Sequence, residues 1–165
     1  MIKKLLLVLS FIAVTTFANA ADKTLEELDN YWRAMEQTVV DGEFEKYAAA
    51  YHPDAILVSG FSNNSYLIGK AFQRWEQWFD DTKAGKVKAG VQFIWTDRKV
   101  SENTAYETGL FNYFSTDKNG EPQHFIAHIE ALLVKKQGKW LMMMEKQTKK
   151  ASQQEWDNAV KQHSK

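Results

Sequence analysis

The sequence predicts an α+β domain in which helices pack on one side of a curved sheet. Before Gly85, apolar residues recur at the spacing of three and four that is typical of amphipathic helices. From Val87 to Thr148 the chain is instead rich in aromatic and β-branched residues, divided by short turn segments. Because these connections are short, the strands on either side of them are expected to run antiparallel.

The N-terminal segment, Met1 to Ala20, has the pattern of a bacterial secretion signal. Two lysines precede an apolar stretch from Leu5 to Phe17, and Ala18-Asn19-Ala20 is a small-x-small cleavage site. The apolar stretch is shorter than the about 20 residues that a membrane span requires. We therefore expect cleavage after Ala20, a periplasmic or secreted protein with no membrane association after cleavage, and a single domain over 21–165.

Helices and one short strand are predicted for the first half of this domain. A capping box at Thr24 opens the first helix, whose apolar residues at helical spacing are Leu25, Leu28, Trp32, Met35 and Val39, and Gly42 suits its C-terminal end. The second helix is expected over Phe44 to Tyr51, because a residue before proline, here His52, avoids the helical region. A strand over Ala55 to Val58, a polar loop over Gly60 to Ser65 and a third helix from Lys70 to about Lys83 follow.

Four long strands and a short helix are predicted for the second half. The strands are Val87 to Val100, Thr104 to Ser115, Gln123 to Lys135, and Lys139 to Thr148. Asn119-Gly120 and Gly138 are typical of hairpin turns between them. A capping box from Ser152 to Glu155 opens a C-terminal helix with Trp156, Ala159 and Val160 on one face.

Composition excludes several classes of function. Removing the two lysines of the predicted signal leaves 19 basic and 21 acidic residues, a formal charge of −2, which gives no electrostatic basis for binding nucleic acid. The chain has no cysteine, which excludes disulfides and thiolate chemistry. It has six Trp, six Tyr and ten Phe, more than a small core needs, so some of these rings are expected to line a cavity or an interface.

The segment from Gln123 to Val134 places polar groups inside an apolar strand. Alternate residues of a strand share a face, so one face holds His124, Ile126, His128, Glu130 and Leu132, and the other is purely apolar. Imidazole and carboxylate groups are costly to bury without partners. The polar face therefore either lines a pocket with a polar floor or faces water.

Five motifs accompany the element order α-α-β-α-β-β-β-β: Val40 to Phe44, Tyr51 to Ala55, Tyr66 to Gly69, Thr104 to Gly109, and Gly138 to Met142. In this order and spacing they resemble the nuclear transport factor 2-like superfamily, in its SnoaL-like and ketosteroid-isomerase-like branch. The resemblance covers Thr24 to Thr148. It implies a cone-shaped, mixed or antiparallel sheet wrapped around the N-terminal helices, a cystatin-like α+β roll with an apolar cavity, and a homodimer formed through the sheet.

The resemblance also implies where catalytic residues would lie. Ser59 falls near the position of the isomerase's carboxylate base and Met35 at the position of its oxyanion-donating tyrosine. Serine is a poor base and methionine has no proton to donate, so these positions do not support isomerase chemistry. Tyr31, one helical turn from Met35, would reach another part of the cavity.

The resemblance places His128 near a polar pocket position, with Glu130 beside it and Glu107 on the face of Ala105 and Gly109. His128, Glu130 and Glu107 are thus the candidate catalytic residues, since a carboxylate-held histidine is suited to act as a general base. The alternative is a satisfied His–Glu pair in a polar cavity floor.

No metal site and no cofactor are predicted. On a strand, His124 and His128 lie about 13 Å apart, too far to share a zinc ion. His128, Glu130 and Glu107 could share a metal, but no further His or Cys is near them in the sequence to complete the usual ligand set.

The predicted ligand-binding residues are the remaining candidates for the cavity wall. Met142 and Met144 share the face of Trp140 in a regular strand and are expected to point inward. The full set is Tyr31, Met35, Ser59, Trp75, Phe79, Trp95, Tyr113, Met142 and Met144.

Three functions are consistent with these observations. The first is an exported domain that binds a small, largely apolar molecule in the cone, without an assigned catalytic activity. The second is a lyase or isomerase that uses His128 with Glu130 or Glu107 as acid and base. The third is a dimerisation or interaction module.

Overall fold

A six-stranded sheet with three helices on one face and one on the other forms the part of the chain described by the computed structural model, residues 2–116 and 120–163, with side chains from Ala21 onward. The helices are α1 (Ile2–Asp41), α2 (Phe44–Ala48), α3 (Gly69–Lys83) and α4 (Gln153–His163). The strands are β1 (Tyr51–Ser59), β2 (Asn64–Leu67), β3 (Lys88–Val100), β4 (Thr104–Thr116), β5 (Pro122–Lys136) and β6 (Lys139–Lys150).

The sheet has the strand order β2-β1-β6-β5-β4-β3. The antiparallel connections predicted from β3 to β6 are confirmed. β1 joins β6 in parallel and β2 pairs with β1 antiparallel, so the sheet is mixed. The predicted α+β class is therefore confirmed.

The face of the sheet that meets α1, α2 and α3 is called the inner face, and the opposite one the outer face. The predicted apolar stripe of α1 is buried there, with Leu28 fully inaccessible and Trp32, Met35 and Val39 at most 7% exposed. On β5 the inner face holds Ala127, Ile129, Ala131 and Leu133, all at most 2% exposed. The core thus lies between the N-terminal helices and the sheet.

Gly42 ends α1 as predicted, with a φ of +66° that favours glycine. A Cβ at this position would lie 2.5 Å from the backbone nitrogen of Lys83 at the end of α3. Glycine is required there for both reasons.

Several boundaries differ from the predicted ones. α2 ends at Ala48, and Tyr51 begins β1 instead, because it pairs with Met142 of β6. The pairing then shifts register before Ile56, around Pro53, which has no N–H to donate. The expected polar loop over Gly60 to Ser65 contains the start of β2, which pairs with the end of β1.

The predicted helix start at Thr24 is wrong, because α1 is already helical before this residue. Glu27, the other member of that capping box, accepts hydrogen bonds from Lys135 Nζ (2.5 Å) and Trp140 Nε1 (3.1 Å). The side chains of the predicted signal peptide, Met1 to Ala20, and residues 117–119 of the predicted hairpin turn lie outside the described residues.

α4 packs on the outer face of the sheet. Its capping box forms as predicted, with the Ser152 N–H donating to Glu155 Oε2 (2.8 Å) and Ser152 Oγ accepting from the Glu155 N–H (3.2 Å). Trp156 and Ala159 are buried against three aliphatic residues of β3, β4 and β5, namely Ile94, Leu110 and Ile126. Within the described part of the chain, no helix has the length and apolar character needed to cross a bilayer.

Candidate functional site

A cavity of about 560 Å³ lies between α3 and the inner face of the sheet. Residues of α1, α2, α3 and all six strands contribute to its wall. Most of the wall is apolar, and its aromatic side chains include Tyr47, Trp75, Trp78, Phe79, Tyr113 and Phe125. This volume is in the range of about 300–1,000 Å³ that is typical of small-molecule sites.

The mouth of the cavity carries exposed aromatic rings. Trp78 is 54% exposed and its ring lies 6.3 Å from that of Tyr113. Phe61 does not itself line the cavity, but it is 44% exposed and its ring lies 5.5 Å from that of the lining residue Phe125. Exposed rings beside a cavity mouth provide an apolar entrance.

Glu145 of β6 supplies a carboxyl group to the cavity wall while it is only 5% exposed. Its Oε2 accepts a hydrogen bond from the Tyr51 hydroxyl (2.6 Å), and its Oε1 accepts one from Gln147 Nε2 (2.6 Å). The Tyr51 hydroxyl lies 3.0 Å from that of Tyr47, which also lines the cavity. Two tyrosines and a glutamine thus hold the carboxyl in place.

Burial raises the pKa of Glu145, and the hydrogen bonds from Tyr51 and Gln147 oppose this shift without cancelling it. The ion pairs among the described residues do not include Glu145. The carboxyl is therefore held by neutral donors, in surroundings that favour its protonated form more than water does.

A bulge in β6 explains why Glu145 faces inward. Leu133 pairs with Met142 and Leu132 with Met144, so Met143 is an extra residue without a partner on β5. Beyond it, the residues that share the inner face with Met142 are Glu145 and Gln147, rather than Met144 and Lys146. The inward orientation predicted for Met144 is wrong for this reason, and Glu145 was missed because regular alternation places it outside.

Four predicted ligand-binding residues line the cavity: Ser59, Trp75, Phe79 and Tyr113. Met35, Trp95 and Met142 are buried in the core instead. Tyr31 packs against that core, and its hydroxyl donates to the Ala50 carbonyl (2.9 Å). Trp95 stacks on Phe93, at a ring distance of 5.7 Å.

The structure does not bring together the three candidate catalytic residues. His128 lies on the outer face, where its Nε2 is 3.1 Å from Glu155 of α4. Glu130 is on the same face and binds the Tyr106 hydroxyl (2.6 Å) and Lys146 (2.9 Å). The expectation that they enter the cavity is wrong, because the opposite, purely apolar face of β5 gains more from burial in the core.

Glu107 is on the inner face, as predicted, but outside the cavity wall. It is fully buried and accepts hydrogen bonds from Trp32 Nε1 (2.7 Å) and Arg98 Nε (2.5 Å). Arg98 also binds Asp29 of α1 (2.5 Å). Burial raises the pKa of Glu107 and the Arg98 guanidinium opposes this. Glu107 and Arg98 thus form a structural ion pair within the sheet, and the bonds to Trp32 and Asp29 join this pair to α1.

His124 borders the mouth of the cavity, and its Nδ1 lies 3.2 Å from Asn112 Oδ1. His124 and His128 have different partners, so they do not form a metal site together. Among the described residues, no three His, Cys, Asp or Glu side chains converge to hold a metal ion.

No protein-family model matches the chain, and a search of curated proteins finds no match. Solved structures do match it. The association domain of CaMKII from C. elegans is 14% identical with a TM-score of 0.58, over 78% of this chain and 97% of that one.

Two bacterial proteins are similar to the same extent. ActVI-ORFA from Streptomyces coelicolor is 16% identical with a TM-score of 0.59, over 75% of this chain and 95% of that one. A nuclear transport factor 2-like superfamily protein from Salmonella enterica is 12% identical with a TM-score of 0.58, over 81% and 95%. At these identities the likeness shows the fold alone, and the chain has the nuclear transport factor 2-like fold that its sequence predicts.

Proposed function

We propose that this domain binds a small, largely apolar molecule in the cavity between α3 and the sheet. The observation that carries the proposal is an aromatic-walled cavity of about 560 Å³ with one buried carboxyl group, that of Glu145, in its wall. Apolar walls with a few placed polar groups are typical of ligand sites. The exposed ring of Trp78 in the cavity wall supports the same proposal, because it would receive an apolar ligand on entry.

The alternative of a lyase or isomerase based on His128 has no support from the geometry. His128 and Glu130 lie on the outer face, and Glu107 is occupied by Trp32 and Arg98. None of the three is part of the cavity wall. A general base must reach the proton that it removes, so these residues cannot act on a molecule in the cavity.

A thermal-shift screen with an apolar compound library tests the proposal. Val91→Phe should reduce the shifts, since Val91 lines the cavity and a larger ring would occupy its space. Gln92→Phe is the matched control, because Gln92 is the next residue of β3 and is exposed on the other side of the strand. Compounds that stabilise the wild type and Gln92→Phe but not Val91→Phe support the proposal. Hits that stabilise all three proteins equally, or no hits at all, would contradict it.

We also propose that the protein is exported, with Met1 to Ala20 removed. The proposal is supported by the charged, apolar and small-residue regions in that order. Expression in a Gram-negative host, cell fractionation and intact-mass measurement test it. The expected product is a periplasmic or secreted chain that begins at Ala21, whereas a full-length chain in the cytoplasm would contradict the proposal.

A second candidate function, self-association through the sheet, is favoured by an apolar row on the outer face. Leu67, Ile56, Met144 and Leu132 are successive cross-strand neighbours on β2, β1, β6 and β5. Leu67 is 61% exposed, Ile56 38% and Leu132 37%. Exposed apolar patches of this kind are typical of protein interfaces. We propose a homodimer that buries this row.

A further inference from the structure

Among the described residues, the buried carboxyl group of Glu145 has no cationic partner. It is the one acidic side chain among the described residues that line the cavity. The one Lys or Arg side chain in that wall is Arg74, which is exposed at the mouth and donates to the Tyr66 hydroxyl (2.7 Å). A buried carboxylate is usually paired with a cation, because its desolvation is costly.

The hydrogen bonds of Glu145 to described residues leave acceptor positions on both of its oxygens for a further partner. A carboxylate has about four acceptor positions, two on each oxygen. Tyr51 occupies one position on Oε2, and Gln147 occupies one on Oε1. Both donors are neutral, so they orient the carboxyl group without compensating a negative charge.

The aromatic rings of the cavity wall add a second attraction for a positive charge. Tyr47, Trp75 and Tyr113 line the same cavity as Glu145. The face of an aromatic ring attracts cations, and this attraction is strongest where water is excluded. A carboxylate beside aromatic rings is therefore suited to an organic cation more than to a neutral or anionic ligand.

We propose that the cavity binds a protonated amine with an apolar, ring-containing body, and that the ammonium group forms an ion pair with Glu145. The inference rests on the proposed function of the cavity and specifies its ligand class. The apolar body packs against the rings of Trp75, Phe79 and Tyr113. Arg74 does not oppose this, because its charge is exposed at the mouth, where solvent and salt screen it.

Calorimetric titration with two matched probes tests the proposal. Naphthalen-1-ylmethylamine is protonated at neutral pH, whereas naphthalen-1-ylmethanol has the same ring and length without a charge. The wild type should bind the amine about 10- to 100-fold more tightly than the alcohol, the range expected for a hydrogen bond to a charged group. In Glu145→Gln the preference should disappear while the alcohol affinity is kept. Glu130→Gln, which changes an outer-face carboxylate, should alter neither.

Equal affinity of the wild type for both probes, or an amine preference that survives in Glu145→Gln, would overturn the proposal. Binding of the alcohol without any preference for the amine would overturn this inference alone. Failure of both probes and of the apolar library to bind the wild type would overturn the proposed function as well.

The pH dependence of binding gives a second test, which needs no substitution of Glu145. Amine affinity should rise with pH as Glu145 ionises, and alcohol affinity should not. Charged and titratable groups also face this region from other elements: Tyr31, Tyr47, Tyr51, Arg74, Tyr113 and His124. His124 is the one imidazole among these groups. The amine series is therefore repeated with His124→Gln, and loss of the pH dependence in that variant would overturn the proposal.

Discussion

Two glutamates on the inner face of the sheet differ in the charge of their partners. Glu107 accepts hydrogen bonds from Trp32 and from the guanidinium of Arg98, whereas Glu145 accepts them from the neutral groups of Tyr51 and Gln147. The first arrangement compensates the buried charge within the protein. The second leaves the charge uncompensated, which is characteristic of a functional position.

Glu107→Ala is expected to destabilise the fold by about 3 kcal/mol, because it leaves the Trp32 indole N–H without its acceptor and leaves the partly buried guanidinium of Arg98 with Asp29 alone. Glu130→Ala is the control, since Glu130 pairs with Tyr106 and Lys146 on the outer face and should cost at most about 1 kcal/mol. Urea unfolding measures both free energies. Equal losses in the two variants would show that Glu107 does not join α1 to the sheet.

Glu145 makes the stability of the protein depend on pH. Burial raises its pKa above the ordinary value of 4.5, so the folded state binds this proton more tightly than the unfolded state does. Its contribution to stability is therefore complete below pH 4.5 and is lost as the pH rises through the folded-state pKa. The free energy of unfolding of Glu145→Gln, relative to that of the wild type, should therefore increase across this pH interval. Urea unfolding at a series of pH values measures it, and a constant or decreasing difference would contradict the assignment.

At the scale of secondary structure, the bulge at Met143 decides which side chains reach the cavity. Met142, Met143 and Met144 are identical residues, so hydrophobic alternation cannot indicate which of them is the extra one. Nothing in the sequence marks the change of face that brings Glu145 inside. This is why Ser59, Trp75, Phe79 and Tyr113 could be predicted as cavity residues, while Glu145 and Gln147 could not.

The residues of β5 alone indicate which of its two faces is buried in the core. One face of this strand is purely apolar from Phe125 to Leu133, and such a face is expected to form the core. The family resemblance favoured the opposite orientation. The helices and long strands were predictable because their apolar periodicity is strong, whereas β2 is four residues long and belongs to a polar segment.

Trp156 is the largest side chain that α4 buries against the sheet. Trp156 is 7% exposed and packs with Ile94, Leu110 and Ile126. Trp156→Ala should destabilise the protein by about 3–5 kcal/mol through the cavity that it leaves. Val160→Ala on the same helix is the control, because Val160 is 38% exposed. Chemical unfolding followed by circular dichroism measures both, and a loss no greater than that of the control would mean that α4 does not depend on this contact.

At the scale of the whole molecule, the two faces of the sheet have different structural roles. The inner face forms the core and the cavity. On the outer face, α4 covers parts of β3, β4 and β5, while the apolar row across β2, β1, β6 and β5 stays exposed. A second copy that covers this row would leave the mouth of the cavity free, since none of the row's four residues lines it.

Sedimentation equilibrium tests the proposed homodimer. The wild type should be dimeric at micromolar concentration, and Ile56→Lys should be monomeric because it places a charge in the apolar row. Val40→Lys is the control, because Val40 is a 51% exposed apolar residue on α1. A monomeric wild type, or a dimer that tolerates Ile56→Lys, would contradict the proposal.

The binding of a small molecule inside the cone is tested most directly by locating it. A compound identified in the thermal-shift screen is titrated into isotopically labelled protein, and the backbone amide resonances are followed by NMR. The account predicts saturable changes that centre on cavity residues such as Leu57, Val91, Tyr113 and Glu145. Changes centred on the outer-face residues Ile56, Met144 and Leu132, with the cavity resonances unmoved, would contradict it.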